Sequence, residues 1–318
     1  MDFVMDLSLL SKILPVIFLF IIGHWFNRTG FITQNSVGEL KKLVVNVFLP
    51  SLLFISFSKS NFEARYLIIV VTVFIACTAL LGMGIVIKKM LKIQSPYFPT
   101  LLTGFEAGML GYSLYAGVFG AENVFKFAVI DLGQVTFVFF VLVSLLVQYK
   151  EGRKSGFSSM FSSFAKNPVI IAIFLGIIMQ KTRLMGILQS IPFTQALLQT
   201  LSMLSSLTVP LICLVIGYEI KFEKGSVQKS IQAIGLRYVL LLPLAIFINS
   251  FIISSLLGLD RAFSAALMTM FTLPPPFIIP LYISDENLEE KQFVFNTISL
   301  STIVSIIMFL IVIGTNTG

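Results

Sequence analysis

The sequence predicts an all-α polytopic membrane protein: ten transmembrane helices arranged as two halves of five. Three observations predict it. Charged residues make up 12% of the 318-residue chain and hydrophobic residues 57%, about half the charge that a soluble domain uses to cover a water-facing surface. Apolar runs of spanning length, about 20 residues each, recur from end to end. The longest polar break, YKEGRKSGFSSMFSSFAK at 149–166, falls almost at the midpoint and divides five runs from five.

The runs lie at approximately 7–26, 40–58, 66–87, 97–119, 123–148, 167–187, 197–218, 231–257, 261–283 and 290–314. The first opens on MDFVMDLSLLSKILPVIFLF, which is acidic and has no small-residue cleavage site, so a retained span is expected rather than a removable signal peptide. His24, the sole histidine, stands beside Trp25 near the end of that run, where Trp commonly anchors at the membrane interface. The second run carries Pro50 in VNVFLPSLLFISF and the seventh carries Pro210 in SSLTVPLICLVIG, 160 positions apart. The third and seventh contain Cys77 and Cys213, which have no metal-ligand spacing and suggest no disulfide framework. In the eighth, Arg237 sits near the start and is expected to snorkel to the interface.

The fifth and tenth runs align as KFAVIDLGQVT (126–136) on KQFVFNTISLS (291–301), a register that sets Asp131 on Asn296. It also brings GFEAGMLGYSLY (104–115) opposite TMFTLPPPFIIP (269–280). An odd number of spans per half turns the second half over, so related halves form an inverted repeat, a common plan for secondary transporters. The expected division is a first five-helix repeat at 1–148, a cytoplasmic linker at 149–166 and a second repeat at 167–318. Within the linker Phe157, Phe161 and Phe164 recur at helical spacing, which fits a short helix on the membrane surface as well as it fits a flexible link.

The net charge of +7 is an orientation signal. With the N-terminus outside, one set of loops carries Arg28, Lys41, Lys42, Lys88, Lys89, Lys92, Lys150, Arg153, Lys154, Lys166, Lys221, Lys224, Lys229 and Lys291. The opposite set carries Lys12, Lys59, Arg65, Lys126, Lys181, Arg183 and Arg261. Fourteen against seven satisfies the positive-inside rule. A nucleic-acid partner is excluded, and both termini are expected outside a plasma (cytoplasmic) membrane that the chain crosses repeatedly.

The chemistry is expected at interruptions. FTLPPPFIIPLY at 271–282 holds four of the twelve prolines. Each proline removes an i−4 bond, at a cost of roughly 3 kcal/mol in a helix interior, and pushes its predecessor toward extended geometry. Non-helical backbone at membrane depth survives where it is buried in protein or lines a cavity, so Pro274, Pro275 and Pro276 mark a candidate substrate site. In the fourth run Gly104, Gly108 and Gly111 loosen the helix and admit another backbone. Glu106 there, and Asp131 in the fifth, are carboxylates within spans; each fits an ion or proton pathway or an internal hydrogen-bond anchor. Gln134 lies one turn from Asp131 and Ser299 one turn from Asn296, so each pair shares a helix face. Asn46, Ser51, Asn249 and Thr272 are polar at similar depth and fit packing glue as well as ligands.

Several stretches resemble the auxin efflux carrier family, whose bacterial members include malate permease-like proteins. They are IIGHWFNRTGFITQNSVGELKKLVVNVFLPSLLFISFSKSNFE (21–63), AKNPVIIAIFLGIIMQ (165–180), LSSLTVPLICLVIGYEI (204–220) and FTLPPPFIIPLYISDEN (271–287). The resemblance implies two inverted five-helix repeats, similar to bile acid–sodium symporters, with fourth and ninth helices that unwind and cross at mid-membrane beside the carried anion. By position Glu106 stands where plant carriers have a crossover asparagine, and Pro274 and Pro280 match ninth-helix prolines. The chain departs from the family where Gly111-Tyr112-Ser113 replaces Gly-x-Pro, and where Pro275 and Pro276 replace a more polar pair.

The expected function is a secondary carrier for a small organic acid. Candidate substrate ligands are Glu106, Gly108, Gly111, Tyr112, Asn46, Ser51, Thr272, Pro274, Pro275 and Pro276. Candidate coupling residues are Glu106, Asp131, Gln134, Asn296 and Ser299. The partners expected are the substrate, H+ or Na+, the lipid bilayer and a second copy of the chain in a homodimer, with no cofactor or metal. An intramembrane enzyme lacks its usual signatures here (no H-E-x-x-H, no G-x-S-x-G). The alternatives are a sodium-coupled symporter of the same fold for an organic anion, and a membrane sensor or channel, for which no ring of charge or repeated filter sequence is present.

Overall fold

The computed structural model describes residues 7–152, 156–219, 227–284 and 287–316. The basic residues Arg153, Lys154, Lys221 and Lys224 of the orientation count lie outside that set. The described residues are helical or irregular, with no strand among them. The chain opens with α1 (Leu7–Thr29), then α2 (Gln34–Leu43), a π-helical turn at Val44–Phe48 and α3 (Leu49–Lys59) in one continuous rod. Thr33 caps the rod by accepting from the Ser36 amide. Pro50, near the start of α3, has no N–H to give the preceding turn, and the π-helical residues absorb the mismatch. Next come α4 (Tyr66–Met90) and the four-residue α5 (Phe98–Leu101). After a break, a π-helical turn at Ala107–Gly111 leads into α6 (Tyr112–Phe119). A 3-10 turn (Ala121–Asn123), α7 (Val124–Phe137), a π-helical turn (Val138–Leu142) and α8 (Val143–Glu151) close the first half.

The second half begins with α9 (Phe157–Ala165), bent by 60° from α10 (Pro168–Thr182). Asn167 accepts from the Val169 amide at 2.9 Å, and Pro168 sits where its missing N–H costs nothing. Then follow α11 (Leu184–Ser190), α12 (Pro192–Ser206) and α13 (Thr208–Glu219). After them come α14 (Val227–Ile248), its π-helical extension (Asn249–Leu256) and α15 (Arg261–Thr272). A 3-10 turn (Ile279–Tyr282) and α16 (Leu288–Asn316) end the chain.

Six continuous helical stretches among the described residues are long and apolar enough to cross a membrane: Gln34–Lys59, Tyr66–Met90, Ala121–Lys150, Pro192–Glu219, Val227–Leu256 and Leu288–Val312. The expected runs differ from these in instructive ways. The fourth and ninth are interrupted. The sixth, expected over 167–187, stops at Thr182, because Arg183 takes a left-handed φ of 57° that a helix cannot contain. The seventh starts earlier than 197, at Pro192. The linker segment 157–165 is helical, with Phe157 and Phe161 exposed and the rings of Phe157 and Phe164 tilted against Phe140.

Helices approach closest where glycine removes a side chain. A Cβ on Gly217 of α13 would stand 2.1 Å from the Phe20 carbonyl oxygen of α1, and one on Gly23 of α1 would stand 2.1 Å from the Leu214 carbonyl oxygen of α13. These reciprocal contacts make α1 and α13 a pair whose backbones touch. Gly176 of α10 plays the same part against Phe54 and Phe57 of α3. Elsewhere α4 packs on α7 and α14 on α16. The core thus runs through both halves of the chain rather than within each.

Candidate functional site

Two interrupted stretches meet in the interior. The first runs from Leu102 to Glu106, the second from Leu273 to Ile278. Pro274, Pro275 and Pro276 make a helix impossible in the second, and all three are buried. No proline stands in the first; its turn depends on Gly104, at φ +65°, a conformation glycine adopts without steric cost. A Cβ on Gly104 would lie 2.8 Å from Cγ of Pro276, so the same residue also lets the two stretches touch. The Glu106 amide donates to the Pro274 carbonyl at 2.9 Å, which fixes one stretch on the other.

The carbonyls freed by both breaks converge on one cation. Arg237 of α14 is fully buried. Its Nη1 donates to the Leu101 carbonyl at 2.8 Å and to the Thr103 carbonyl at 3.4 Å. Its Nη2 donates to the Gly104 carbonyl at 2.7 Å and to the Leu273 carbonyl at 3.0 Å. The planar fork of the guanidinium suits this task, since it presents several donors in fixed directions, and the Phe105 ring lies 5.4 Å from its central carbon. Next to it, Tyr238 donates to the Thr272 carbonyl at 2.8 Å. The expectation that Arg237 snorkels to the interface is therefore corrected: backbone carbonyls, four of them, supply the polar partners that an interfacial arginine would seek in water.

The amides freed by the breaks converge on one anion. Glu106 Oε1 accepts from the Met109 amide at 3.0 Å, and Oε2 accepts from the Phe277 amide at 2.7 Å. The first amide lies in the first turn of the helical stretch from Ala107; the second follows directly on the prolines. Behind them Gln134 of α7 donates to the Phe105 carbonyl, and the Tyr112 hydroxyl donates to Asp131 at 2.9 Å. Asp131 Oδ1 and Gln134 Oε1 are buried and accept no hydrogen bond.

A cavity of about 320 Å³ opens beside this meeting point, a size that suits a small molecule. Phe277 and Pro280 border it from the broken stretch, and Ser299 and Thr302 from α16. At its mouth stand Lys41 of α2 and Glu219 of α13, paired at 2.8 Å. The far end of the bundle is tied shut: Lys126 pairs with Asp260, Arg65 donates to the Leu257 carbonyl at 3.2 Å, and Tyr115 to the Ala262 carbonyl at 2.9 Å.

The structure thus gathers Glu106, Gly108, Gly111, Tyr112, Asp131, Gln134, Thr272 and the three prolines around one point, with Ser299 on the cavity wall. Gly111 is wedged against Phe127 and Leu273, whereas Gly108 has open space beside Glu106. Thr272 turns its hydroxyl back to the Thr269 carbonyl. Two candidates are not gathered. Asn46 is exposed and donates to the Lys42 carbonyl of its own helix, and Ser51 donates to the Val47 carbonyl at 2.7 Å. Asn296 is buried on α16. Lys41, Glu219, Phe277, Thr302 and Arg237 were absent from the candidate set. A lone arginine inside an apolar run was the signal that could have found the last.

The described residues form an all-helical membrane protein, and comparison with known proteins supports a membrane transporter. A family model described as membrane transport protein matches residues 8–159. An uncharacterized transporter of Methanothermobacter thermautotrophicus is 24% identical over 304 residues, covering 93% of this chain and 95% of that protein. Uncharacterized transporter MJ1031 of Methanocaldococcus jannaschii is 28% identical over 218 residues, covering 65% of this chain and 68% of that one. These similarities support the resemblance to the auxin efflux carrier family read from the sequence.

Proposed function

We propose that the protein is a secondary carrier that moves a small organic acid by alternating access around the meeting point of two broken helices, with Glu106 coupling a proton. The observation that carries this reading is the double hydrogen bond of Glu106 to amides of both broken stretches beside a cavity bordered by Phe277. Ten spans in two inverted repeats follow if α1, α10 and the two interrupted stretches cross along with the six continuous helices. Helix pairing supports that count: the first helix of each half packs on the second of the other (α1 on α13, α10 on α3), and the third packs on the fifth within each half (α4 on α7, α14 on α16). A two-fold relation of the halves requires such correspondences.

By the positive-inside rule the Lys41–Glu219 mouth faces the cytoplasm, so this conformation is open inward. Rocking one bundle against the other would break the Lys126–Asp260 tie and open the opposite end. Asp131, with one unpartnered oxygen, is the second group able to carry a proton. Uptake of radiolabelled mono- and dicarboxylates by proteoliposomes under an imposed pH gradient tests the reading. It predicts uptake driven by the gradient, saturable and abolished by an uncoupler; uptake of none of them, or single-channel currents in place of saturable flux, contradicts it.

A further inference from the structure

The two amides that Glu106 holds belong to different stretches, yet they point at one carboxylate: Met109 lies in the first turn of the helical segment from Ala107, and Phe277 directly follows the three prolines. Converging N–H groups at the starts of helical segments make an anion seat. Here the occupant is a side chain of the protein itself. Glu106 and Phe277 are both partly exposed, Phe277 borders the cavity, and a side chain on Gly108 would meet Glu106 Oε1 at 3.7 Å, with nothing nearer from the other described residues outside its own backbone. The seat is therefore next to open volume and has room on one side.

We propose that Glu106 is a tethered competitor for the anion seat: the carried carboxylate takes the Met109 and Phe277 amides only after Glu106 accepts a proton and leaves them. A carboxylate accepts from both amides at once, while a protonated carboxyl has one hydroxyl that donates and so forfeits one of the two. The proton comes from water in the cavity and stays on Glu106 while the anion is bound. One proton thus accompanies each carboxylate by displacement, without direct contact between them. The charged groups facing Glu106 are Lys41 of α2, Glu219 of α13, Asp131 of α7 and, across the breaks, Arg237 of α14. The residues of α16 and of the proline stretch that line the cavity bring no charge.

This inference rests on the carrier reading only in taking a carboxylate as cargo; its test reads binding to detergent-solubilised protein and needs no transport. The probe is acetate, the fragment that Glu106→Ala removes. Thermal midpoints are measured against acetate, with chloride as the ionic-strength control. In Glu106→Ala, acetate should raise the midpoint saturably, with an affinity constant within twofold between pH 8 and pH 6. In the wild type, acetate affinity should rise as pH is lowered over that range, with a limiting slope of about tenfold per pH unit where Glu106 is ionised, the slope of one proton bound per anion. Glu106→Gln, a neutral side chain of the same size, should lose that slope if Glu106→Ala does not fold. The proposal is overturned if acetate acts on Glu106→Ala no more than chloride does, if wild type and Glu106→Gln share one pH dependence, or if wild-type affinity is flat.

Discussion

Arg237 holds the meeting point together, and replacing it with methionine measures how much. Methionine has similar length and no donor. Three carbonyls, those of Leu101, Gly104 and Leu273, lose partners at 2.8, 2.7 and 3.0 Å; the fourth, that of Thr103, is already distant at 3.4 Å. A buried acceptor left unpaired costs about 1–3 kcal/mol. Three of them give about 3–9 kcal/mol, against which relief of the guanidinium's own desolvation works. A net loss near the low end, about 3–5 kcal/mol, matches what removing one side of a buried charged network costs. At about 2 °C per kcal/mol for a chain of this size, the thermal midpoint in detergent should fall by about 6–10 °C. Arg237→Lys should recover only part, because an ammonium lacks the fork that reaches both stretches. A midpoint for Arg237→Met within about 1 °C of the wild type would refute the claim that the guanidinium ties the breaks.

Other expectations follow from the same geometry. Burial works against the charge of Asp260, but the Lys126 ammonium and the Phe263 amide outweigh it and hold the carboxyl below its usual range. Its stabilisation is therefore present above the unfolded value of about 3.9 and lost as pH falls through the lower folded value. Because the side chain is exposed, the effect should stay below about 1 kcal/mol. The midpoint gap between wild type and Asp260→Asn should be flat from pH 8 to 5 and close below about pH 4; a gap that widens there contradicts the assignment. Gly217→Ala puts a methyl 2.1 Å from a backbone oxygen of α1 and should cost about 1–3 kcal/mol or more. Gly235→Ala, with nothing within 4 Å, should leave the midpoint unchanged or slightly raised, and equal effects at the two sites would remove the close-packing account.

What could be read in the sequence was what depends on local chemistry. Three adjacent prolines forbid a helix wherever they fall, so the second break was visible at 274–276. The first break was visible only through its glycines, since Gly104 does by φ what proline does by a missing donor. Depth was also legible: Glu106 and Asp131 stood out as acids among apolar neighbours. Direction was not. Val44 and Phe48 are buried while Asn46, two positions from each and about 200° round the helix, faces out, a phase that polarity alone does not fix. The partners of Arg237 are carbonyls, and those of Glu106 amides, 133 or more residues away in several cases. Every residue carries such groups, so no side-chain pattern distinguishes these. The cavity mouth was hidden for a different reason: Lys41 and Glu219 sit 178 positions apart, at the ends of separate helices.

Access to Ser299 from the two sides of the membrane tests the central claim most directly. Ser299 lines the cavity, and the native Cys77 and Cys213 are buried, so a Ser299→Cys variant presents one reactive thiol. In proteoliposomes of defined orientation, a membrane-impermeant thiol reagent should label it from the side of the Lys41–Glu219 mouth when the Lys126–Asp260 tie is closed. Labelling should move to the opposite side when that tie is broken by Asp260→Lys. Labelling from both sides at once in a single state, or from neither in any state, contradicts a pocket that opens alternately.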